Sequence, residues 1–369
     1  MRILILANNS GGLYTFRHEL IEELSSTADI YASTPFDDKT EALQAIGISL
    51  IETPISRRSM NPIQDLALFR TYRRLLKKIR PDLVITYTIK PNVYGGLACR
   101  LAGLPYAANI TGLGTTFQKD SILKKLVTYM YKIALKKARC VLFENSENRQ
   151  IFIDSGIIMA EKTHLLNGAG VNLRRFQPAE YPSGQTVRFL FIGRVMQEKG
   201  INELFSAMDR LIRDGLPVHL DIVGRFEEDY QASIELHTFE GWLTYHGFQE
   251  DVRPFIAASH CFVLPSWHEG MANTNLECAA MARPVITSKI HGCLEAVEDG
   301  VSGYLCEKQN ADDLYRVMKR FAALSPEDRE AMGLAGRKRM EALFDKEKVV
   351  AETLDTLGLA ATCRTVQRL

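Results

Sequence analysis

Two carboxylates, Glu269 and Glu277, lie eight positions apart in the stretch WHEGMANTNLE, where a loop is expected to give way to a helix. Carboxylate oxygens accept hydrogen bonds from sugar or ribose hydroxyls, and backbone amides at a helix start can hold a phosphate or sugar oxygen. A second interpretation is local, because Thr274 and Glu277 also fit a capping box, in which each side chain satisfies an amide of the first helical turn. The amides that the first interpretation uses belong to Gly270, Met271, Ala272 and Asn273.

Two cations lie at a similar position earlier in the same half of the chain. Arg194 follows Gly193 at the end of the apolar run VRFLFIG, and Lys199 precedes the helical stretch GINELFSAMDRLIRDG. A guanidinium offers two donors in a fixed fork, an ammonium offers a compact charge, and the helix start adds free N–H groups. This combination favours binding of a phosphate, although a solvated turn with two exposed cations would contain the same residues.

The elements that would position these residues follow an α/β pattern in both halves of the chain. Buried apolar runs alternate with stretches of helical period, as expected for parallel sheets wrapped by helices. The sequence therefore predicts two doubly wound units, with a glycine loop at Gly11 and Gly12 after the first strand. The expected strands are RILILA, DIYAST, DLVITYT, PYAANIT and CVLFEN in the first half, and VRFLFIGRV, PVHLDIVG, LTYHGF and CFVLPS in the second.

A linker between the units is expected at NGAGVNLRRFQPAEYPSG, which is rich in Gly and Pro and lacks periodicity. We assign residues 1–172 to the first domain and residues 173–346 to the second. The last segment, 347–369, could complete the first domain by crossing back onto it. Ligands of open α/β sheets bind at the carboxyl ends of the strands, so a cleft between two such units is the predicted site.

The motifs of the second half occur in a fixed order. Gly-Arg-x4-Lys-Gly is followed by a strand that ends in Pro-Ser and then by Glu-Gly-x6-Glu. This set resembles the retaining glycosyltransferases of family 4, which have the GT-B fold, and the likeness covers nearly the whole chain. Each motif alone would be weak, whereas the three in order at expected strand ends are specific as a set.

The resemblance implies a role for each of these residues. Arg194 and Lys199 would bind the donor diphosphate, Glu277 the nucleotide ribose, and Glu269 would face the transferred sugar. Gly193 and the amides from Gly270 to Asn273 would lie at the donor, and the loop with Gly12 would line the cleft from the first half.

The resemblance also implies the donor and the stereochemistry. The donor would be a nucleotide-activated sugar, usually linked to UDP, and transfer would occur with retention at the anomeric carbon. Fixed cations and helix amides would stabilise charge on the leaving diphosphate without a metal. No Asp-x-Asp occurs in the sequence, and neither a metal nor another cofactor is expected.

The first half departs from the family pattern at one point. Many relatives have a histidine near the end of the fourth strand, beside the sugar, whereas this chain reads ANITGLGTT there. Asn109 or Thr111 could hydrogen-bond a donor hydroxyl instead, and the choice between them stays open. His268 and His291 lie in the second half, and a lone histidine is more often packed or solvated than catalytic.

Charge is unevenly distributed, although the net charge of the chain is only +1. Residues 1–178 contain 24 basic and 15 acidic residues, whereas residues 179–369 contain 21 basic and 29 acidic residues. The first half is therefore expected to meet an anionic partner.

Two amphipathic stretches contain much of the basic charge of the first half. In IQDLALFRTYRRLLKKIRP, Leu66, Leu76 and Ile79 are expected on the side away from the cations. One such helix would be explained by a solvated charged face opposite a stripe that packs on the core. Two such helices favour binding to an anionic membrane surface, and the second also has Tyr129, Met130 and Tyr131 among its lysines. The cations are Arg70, Arg73, Arg74, Lys77 and Lys78 in the first stretch, and Lys124, Lys125, Lys132, Lys136 and Lys137 in the second.

The first half also resembles enzymes that build bacterial surface polysaccharides. The segments SRRSMNP, TYTIKPNVYGGL and NITGLGTTF are similar to those of capsule and O-antigen transferases, and of transferases that add N-acetylhexosamine to lipid-linked bacillosamine. Such enzymes act on a sugar attached to undecaprenyl diphosphate at the cytoplasmic face of the membrane. The resemblance implies Arg57, Arg58 and Lys90 as ligands of the acceptor's diphosphate.

Composition narrows the location and the partners. The seven cysteines form no Cys-x-x-Cys pair and mostly lie in apolar runs, so reduced packing residues are expected. Neither a secretory signal nor a membrane-spanning stretch is evident, and a cytoplasmic protein peripheral to the inner face of the membrane is expected. Zinc-finger spacing and aromatic RNA-binding signatures are absent, so no nucleic-acid partner is expected.

Together these observations predict a retaining transferase that moves an N-acetylhexosamine or hexose from a UDP-sugar to a polyprenyl-diphosphate-linked saccharide. Two alternatives stay open. One is a UDP-sugar epimerase of the same fold, which would need acid and base groups beside the sugar ring. The other is a non-catalytic protein that binds a nucleotide sugar and recruits other enzymes to the membrane.

Overall fold

The computed structural model describes residues 1–56, 61–113, 117 and 121–360. The chain forms two compact units, one of Met1–Ala169 with the segment that begins at Glu347, and the other of Gly170–Lys346. Each unit contains one parallel β-sheet with helices packed against it. The predicted α/β class with two doubly wound units is therefore confirmed.

In the part of the first unit that the structure describes, the sheet has seven strands: β1 (Arg2–Leu6), β2 (Asp29–Thr34), β3 (Ser49–Glu52), β4 (Leu83–Tyr87), β5 (Tyr106–Ile110), β6 (Cys140–Phe143) and β7 (Thr163–Leu165). They are parallel in the order β3-β2-β1-β4-β5-β6-β7. Successive side chains of a strand point to opposite faces, so Ile3 and Ile5 pack in one apolar cluster and Leu4 and Leu6 in another. The sheet is covered on both faces.

Among the described residues before the boundary of the first unit, the α-helices are α1 (Ser10–Ser25), α2 (Thr40–Ala45), α3 (Pro62–Ile79), α4 (Gly96–Ala102), α5 (Ile122–Leu135) and α6 (Ser146–Asp154). Asn61 caps α3 through hydrogen bonds from two first-turn amides, and Arg80 ends the helix in a left-handed conformation. α3, α4 and α5 contact one another in sequence on the same face of the sheet. They form one continuous helical layer.

The second unit has six parallel strands in the order β10-β9-β8-β11-β12-β13. The order reverses between β8 and β11, which pair directly, so the loops that follow these two strands begin at the same edge. The strands are β8 (Val187–Ile192), β9 (Val218–Val223), β10 (Leu243–Tyr245), β11 (Cys261–Leu264), β12 (Val285–Ser288) and β13 (Gly303–Cys306). The helices are α7 (Ile201–Arg213), α8 (Gln231–Phe239), α9 (Arg253–Ala258), α10 (Asn273–Ala280), α11 (Ala311–Ala322) and α12 (Pro326–Arg339).

A last helix, α13 (Lys346–Thr356), lies in the first unit for all but its first residue. Leu354 of this helix and Leu357, which follows its last residue, are buried in the same cluster as Ile3 and Ile5. The C-terminal segment therefore supplies part of the core of the first unit.

The stretch expected as a linker, residues 167–184, is instead largely part of the second unit. The buried guanidinium of Arg283 donates to the carbonyl oxygens of Ala179 at 3.0 Å and Glu180 at 2.6 Å. It also donates to Ile256 at 3.1 Å and Ala257 at 2.8 Å, close to the end of α9. Arg337 also donates to the Phe176 carbonyl at 2.7 Å. The expectation of a linker is wrong because these arginines hold this irregular backbone against the second unit.

Two expectations about the basic helices are wrong. Leu66 is exposed, because it lies two positions from Leu68 and therefore on the other side of α3 from the buried stripe. Tyr131 does not lie among the exposed lysines but is buried, on the same face of α5 as Ala134 and Leu135.

Two features of the described part of the chain relate to the predictions from composition. No described helix is long and apolar enough to cross a membrane. The six described cysteines are free and buried, as expected for reduced packing residues, and Cys363 lies outside the described residues.

Candidate functional site

The loop after β8 carries Gly193 and Arg194. Its backbone pairs with the loop after β9, since the Gly193 N–H donates to Val223 at 3.0 Å and the Val195 N–H to Arg225 at 2.9 Å. Gly224 is required there, because a Cβ at this position would overlap the Gly193 carbonyl oxygen. The pairing fixes the backbone from which the Arg194 side chain extends.

The Arg194 guanidinium is about half exposed, with 52% of its side chain accessible. Its Nη1 lies 3.6 Å from Oε2 of Glu227, a distance that gives a weak ion pair in contact with water. An anion that binds here would have to replace only this weak contact with Glu227, so the Arg194 guanidinium is placed to donate to a phosphate oxygen.

Lys199 lies in the short 3₁₀ turn Gln197–Lys199, directly before α7. The turn ends at Gly200, which has a φ of +74° and no room for a Cβ, because that atom would overlap the Pro265 carbonyl oxygen. The Trp267 N–H donates to the Glu198 carbonyl at 2.9 Å. The start of α7 is thus packed tightly against the loop that follows β11.

Lys199 and Glu269 form an ion pair between the Lys199 Nζ and Oε1 of Glu269. The same oxygen accepts a hydrogen bond from the Ser266 hydroxyl at 2.8 Å. The two side chains are only 19% and 12% exposed, so water screens this pair less than a surface ion pair. Oε2 of Glu269 has no hydrogen-bond partner among the described residues, and this oxygen can accept from a ligand hydroxyl.

The four amides expected to face a ligand are not all open. The Ala272 N–H donates to the Gly292 carbonyl at 2.7 Å, and the Asn273 N–H to the Met271 carbonyl at 3.1 Å. The expectation for these two amides is therefore wrong, because the loop uses them to hold its own conformation. The buried Oδ1 of Asn273 has no hydrogen-bond partner among the described residues and adds an acceptor beside this loop.

The capping box at Thr274 and Glu277 is not formed. α10 begins at Asn273, so Thr274 lies inside the helix, and no side chain caps the start. The first turn of α10 therefore lacks the local acceptors that the second interpretation required, and Glu277 is not a cap.

Glu277 is half-buried on α10, and its carboxyl group makes no hydrogen bond or ion pair with a described residue. Burial raises the pKa of its carboxyl to about 7, and the positive charges of Arg175 and Lys346 oppose this rise. A carboxyl that is desolvated without a partner is stabilised by a ligand that donates hydrogen bonds to it.

The remaining predicted donor residue, Gly12, lies in the first unit. It is not in a loop, since α1 starts at Ser10 and the Asn9 side chain accepts a hydrogen bond from the Gly12 N–H. Of the two residues considered in place of a histidine, Asn109 is buried with an Oδ1 that lacks a described partner, whereas Thr111 is partly exposed.

Lys90 and the basic helices also lie in the first unit. Lys90 forms an ion pair with Asp65 at 2.7 Å, and the Tyr94 hydroxyl donates to the other oxygen of Asp65 at 2.9 Å. Lys90 is therefore already neutralised by a carboxylate, whereas Arg57 and Arg58 lie outside the described residues. Lys124 is half-buried, whereas the other predicted cations of these helices are exposed, namely Arg70, Arg73, Arg74, Lys77, Lys78, Lys125, Lys132, Lys136 and Lys137.

Sequence reasoning missed several partners at the site. Ser266 lies three positions before Glu269, at the end of the predicted strand, and its hydroxyl could have been considered there. No sequence signal relates Glu227 to Arg194 or Arg175 to Glu277. His268 and His291 contact Glu198 and Glu295, at 3.6 and 2.8 Å.

The fold has close counterparts among solved structures. The crystal structure of Anabaena Alr3699/HepE in complex with UDP and glucose superposes with a TM-score of 0.80, at 19% sequence identity, over 97% of this chain and 99% of that one. Its fold and that of the present chain are GT-B, and the predicted fold class is confirmed.

Family models match both units. Residues 2–145 match the model described as glycosyl transferase 4-like, and residues 186–323 match the model described as glycosyl transferases group 1. The chain belongs to this glycosyltransferase family, and the predicted enzyme class is confirmed. The Gly-Arg-x4-Lys-Gly and Glu-Gly-x6-Glu motifs both lie within the second match.

Two curated relatives resemble the chain over most of its length. The N,N'-diacetylbacillosaminyl-diphospho-undecaprenol alpha-1,3-N-acetylgalactosaminyltransferase of Campylobacter jejuni is 27% identical, over 95% of this chain and 96% of its own. The UDP-Gal:alpha-D-GlcNAc-diphosphoundecaprenol alpha-1,3-galactosyltransferase of Escherichia coli is 27% identical, over 72% and 73%.

Proposed function

We propose that this glycosyltransferase moves a sugar from a UDP-sugar to a saccharide carried on a polyprenyl diphosphate, with retention at the anomeric carbon. The sugar is an N-acetylhexosamine or a hexose. The names of both curated relatives support the acceptor class, since each contains a sugar on diphospho-undecaprenol. The name of the E. coli relative also supports a UDP-linked donor.

The observation that carries the proposal is the contact of Lys199 and Ser266 with one oxygen of Glu269 where β8 and β11 end. A cation and a carboxylate with one open oxygen suit a ligand that has a diphosphate next to a sugar. Glu277, desolvated and without a described partner, suits a ribose that donates hydroxyl hydrogen bonds to it.

In the proposed reaction, the bond between the anomeric carbon and the diphosphate oxygen breaks. The acceptor hydroxyl oxygen bonds to the anomeric carbon from the same face, and its proton passes to the leaving diphosphate, which departs as UDP. Arg194 and Lys199 stabilise the negative charge that develops on this diphosphate. Because these two cations supply the positive charge, the proposal includes no metal.

The lipid of the acceptor requires that the reaction take place at a membrane. We place the enzyme at the cytoplasmic face of the cytoplasmic membrane as a peripheral protein. Support comes from the exposed basic side chains of α3 and α5, which suit an anionic surface.

The experiment that tests the proposal is UDP release from a panel of UDP-sugars, with and without a synthetic undecaprenyl-diphosphate-linked sugar. We expect release that depends on the acceptor, and an anomeric configuration in the product equal to that of the donor. Arg194→Ala and Glu277→Ala should abolish this release, whereas Arg213→Ala, which removes an exposed arginine of α7, should not.

Three results would contradict the proposal. A UDP-sugar isomerised without any acceptor would identify an epimerase. Tight UDP-sugar binding without turnover on any lipid-linked acceptor would identify a recruiting partner. Turnover of other nucleotide sugars alone would exclude the UDP-linked donor.

A further inference from the structure

α5 exposes an apolar stripe to solvent. Ile122, Leu126 and Tyr129 are 87%, 53% and 62% exposed, although apolar side chains on a core-packing helix are usually covered. Their spacing of four and three residues places them on one face of the helix. The opposite face, with Tyr131 and Leu135, is buried against the sheet. The exposed stripe therefore takes no part in the packing of α5 against the core.

Lysines lie along one side of this stripe. Lys125, Lys132 and Lys136 are exposed, and Lys125 and Lys132 form no ion pair with a described residue. The helix Ile122–Leu135 contains no acidic residue. An apolar stripe beside unpaired lysines is typical of helices that lie in the interface of an anionic bilayer.

A groove of about 290 Å³ follows the lysine side of α5. Ammonium groups and hydroxyls are both donors, and together they suit the oxygens of a phosphate. The groove is lined by Lys124, Lys125 and Lys132, and by Ser121, Thr128 and Ser155, with Tyr129 at its border with the stripe.

α3 differs from α5 because it lacks a long exposed apolar stripe and contains an acidic residue. Its exposed apolar residues, Ile63 and Leu66, lie only near its start, before the exposed cations Arg70, Arg73 and Arg74. The first part of α3 also carries Asp65, which pairs with Lys90. α3 therefore presents charge but no apolar stripe along that charge.

We propose that α5 is the element that binds the membrane, with Ile122, Leu126 and Tyr129 entering the boundary between head groups and acyl chains. The groove beside them takes the phosphate of an anionic phospholipid. This inference deepens the proposed function and rests on it for the presence of a membrane partner. The cations of α3 contribute only long-range electrostatic attraction to the anionic membrane.

The test is co-sedimentation of the full chain with vesicles of phosphatidylglycerol and phosphatidylethanolamine, compared with vesicles of phosphatidylcholine alone. We expect the wild type to bind the anionic vesicles. Lys125→Gln/Lys132→Gln should lower the affinity for these vesicles by about fivefold for each lysine removed. Ile122→Ser/Leu126→Ser should lower it by at least about tenfold. Matched controls are Lys308→Gln/Lys338→Gln and Leu236→Ser/Phe239→Ser, which remove exposed residues of the second unit and should leave binding unchanged.

Three results would overturn the inference. They are equal binding to both vesicle types, loss of binding in Arg73→Gln/Arg74→Gln but not in the α5 variants, and a dimer in solution that the α5 variants dissociate. Transfer to a water-soluble, short-chain acceptor separates this inference from the proposed function. If wild type and α5 variants transfer equally to that acceptor while none binds vesicles, only the membrane inference fails.

Discussion

Lys199 and Glu269 form an ion pair although seventy positions separate them in the sequence. The contact arises because β8 and β11 are neighbours in a parallel sheet, so the loops that follow them begin at one edge. The consequence is that Lys199 is neutralised before a donor binds. A diphosphate must therefore compete with Glu269 for this ammonium group.

Glu269→Gln should strengthen binding of UDP and weaken sugar transfer. The substitution releases Lys199 from its ion pair. An exposed pair is worth up to about 1 kcal/mol, or roughly fivefold in affinity, and this pair, which water screens less, should be worth at least that. Calorimetric titration with UDP measures the first effect, and turnover of the UDP-sugar with acceptor measures the second. Unchanged or weaker UDP binding in the variant would show that the ion pair does not oppose the diphosphate.

Arg194→Ala should lower the rate of transfer by about 10² to 10³. The guanidinium is half exposed and only weakly paired with Glu227, so its removal leaves no buried charge without a partner. Stability should change by less than about 0.5 kcal/mol, as for an ordinary surface substitution. Steady-state rates and urea unfolding check the two parts, and a large loss of stability would mean that Arg194 supports the fold instead.

Glu277→Gln should change how stability depends on pH. Burial raises the pKa of Glu277 to about 7 from its ordinary 4.5, so the folded protein holds this proton more tightly than the unfolded chain. Wild-type stability should therefore fall as pH rises from about 4.5 to 7 and stay reduced above that range.

The glutamine variant lacks this titration. It should be more stable than the wild type by roughly 1 to 3 kcal/mol near pH 8, and about equally stable near pH 5. Urea unfolding of both proteins at the two pH values provides the measurement. Parallel curves for the two proteins would exclude a raised pKa at Glu277.

Arg283→Met should destabilise the second unit by roughly 3 kcal/mol or more. The buried guanidinium donates to six backbone carbonyl oxygens, and methionine would remove all of these hydrogen bonds. We expect a lower urea midpoint and faster proteolysis within residues 172–184. Arg213→Met, at an exposed position of α7, serves as the control and should change neither. Equal midpoints for the two variants would contradict the anchoring role of Arg283.

Much of the fold could be predicted because long apolar runs identify buried parallel strands. β2 is found at the predicted residues, and β8 and β11 begin at the first residue of their predicted runs. Four strands were missed, β3, β7, β12 and β13, each of only three or four residues. Such strands contain too few apolar positions to show a period, and their neighbours in the sheet determine them instead.

The sequence predicted which strand ends carry the residues of the candidate site, but it did not predict which of their side chains contact one another. Lys199 and Glu269 follow neighbouring parallel strands and therefore lie at the same edge of the sheet. Their ion pair also depends on the close approach of α7 to Pro265, which requires a glycine at position 200. The capping box is not formed, because the N-cap of α10 is Ala272 and Thr274 lies two residues further on, inside the helix. Contacts of this kind depend on distances between elements, which motif spacing does not determine.

The position of α13 has a consequence for the order in which this protein matures during translation. Leu354, Leu357 and Leu359 complete an apolar cluster that otherwise consists of residues before 167. A ribosome therefore releases the whole second unit before it supplies the side chains that close the core of the first. During that interval the nascent first unit keeps apolar surface open to water, and chaperones have a period in which to bind it.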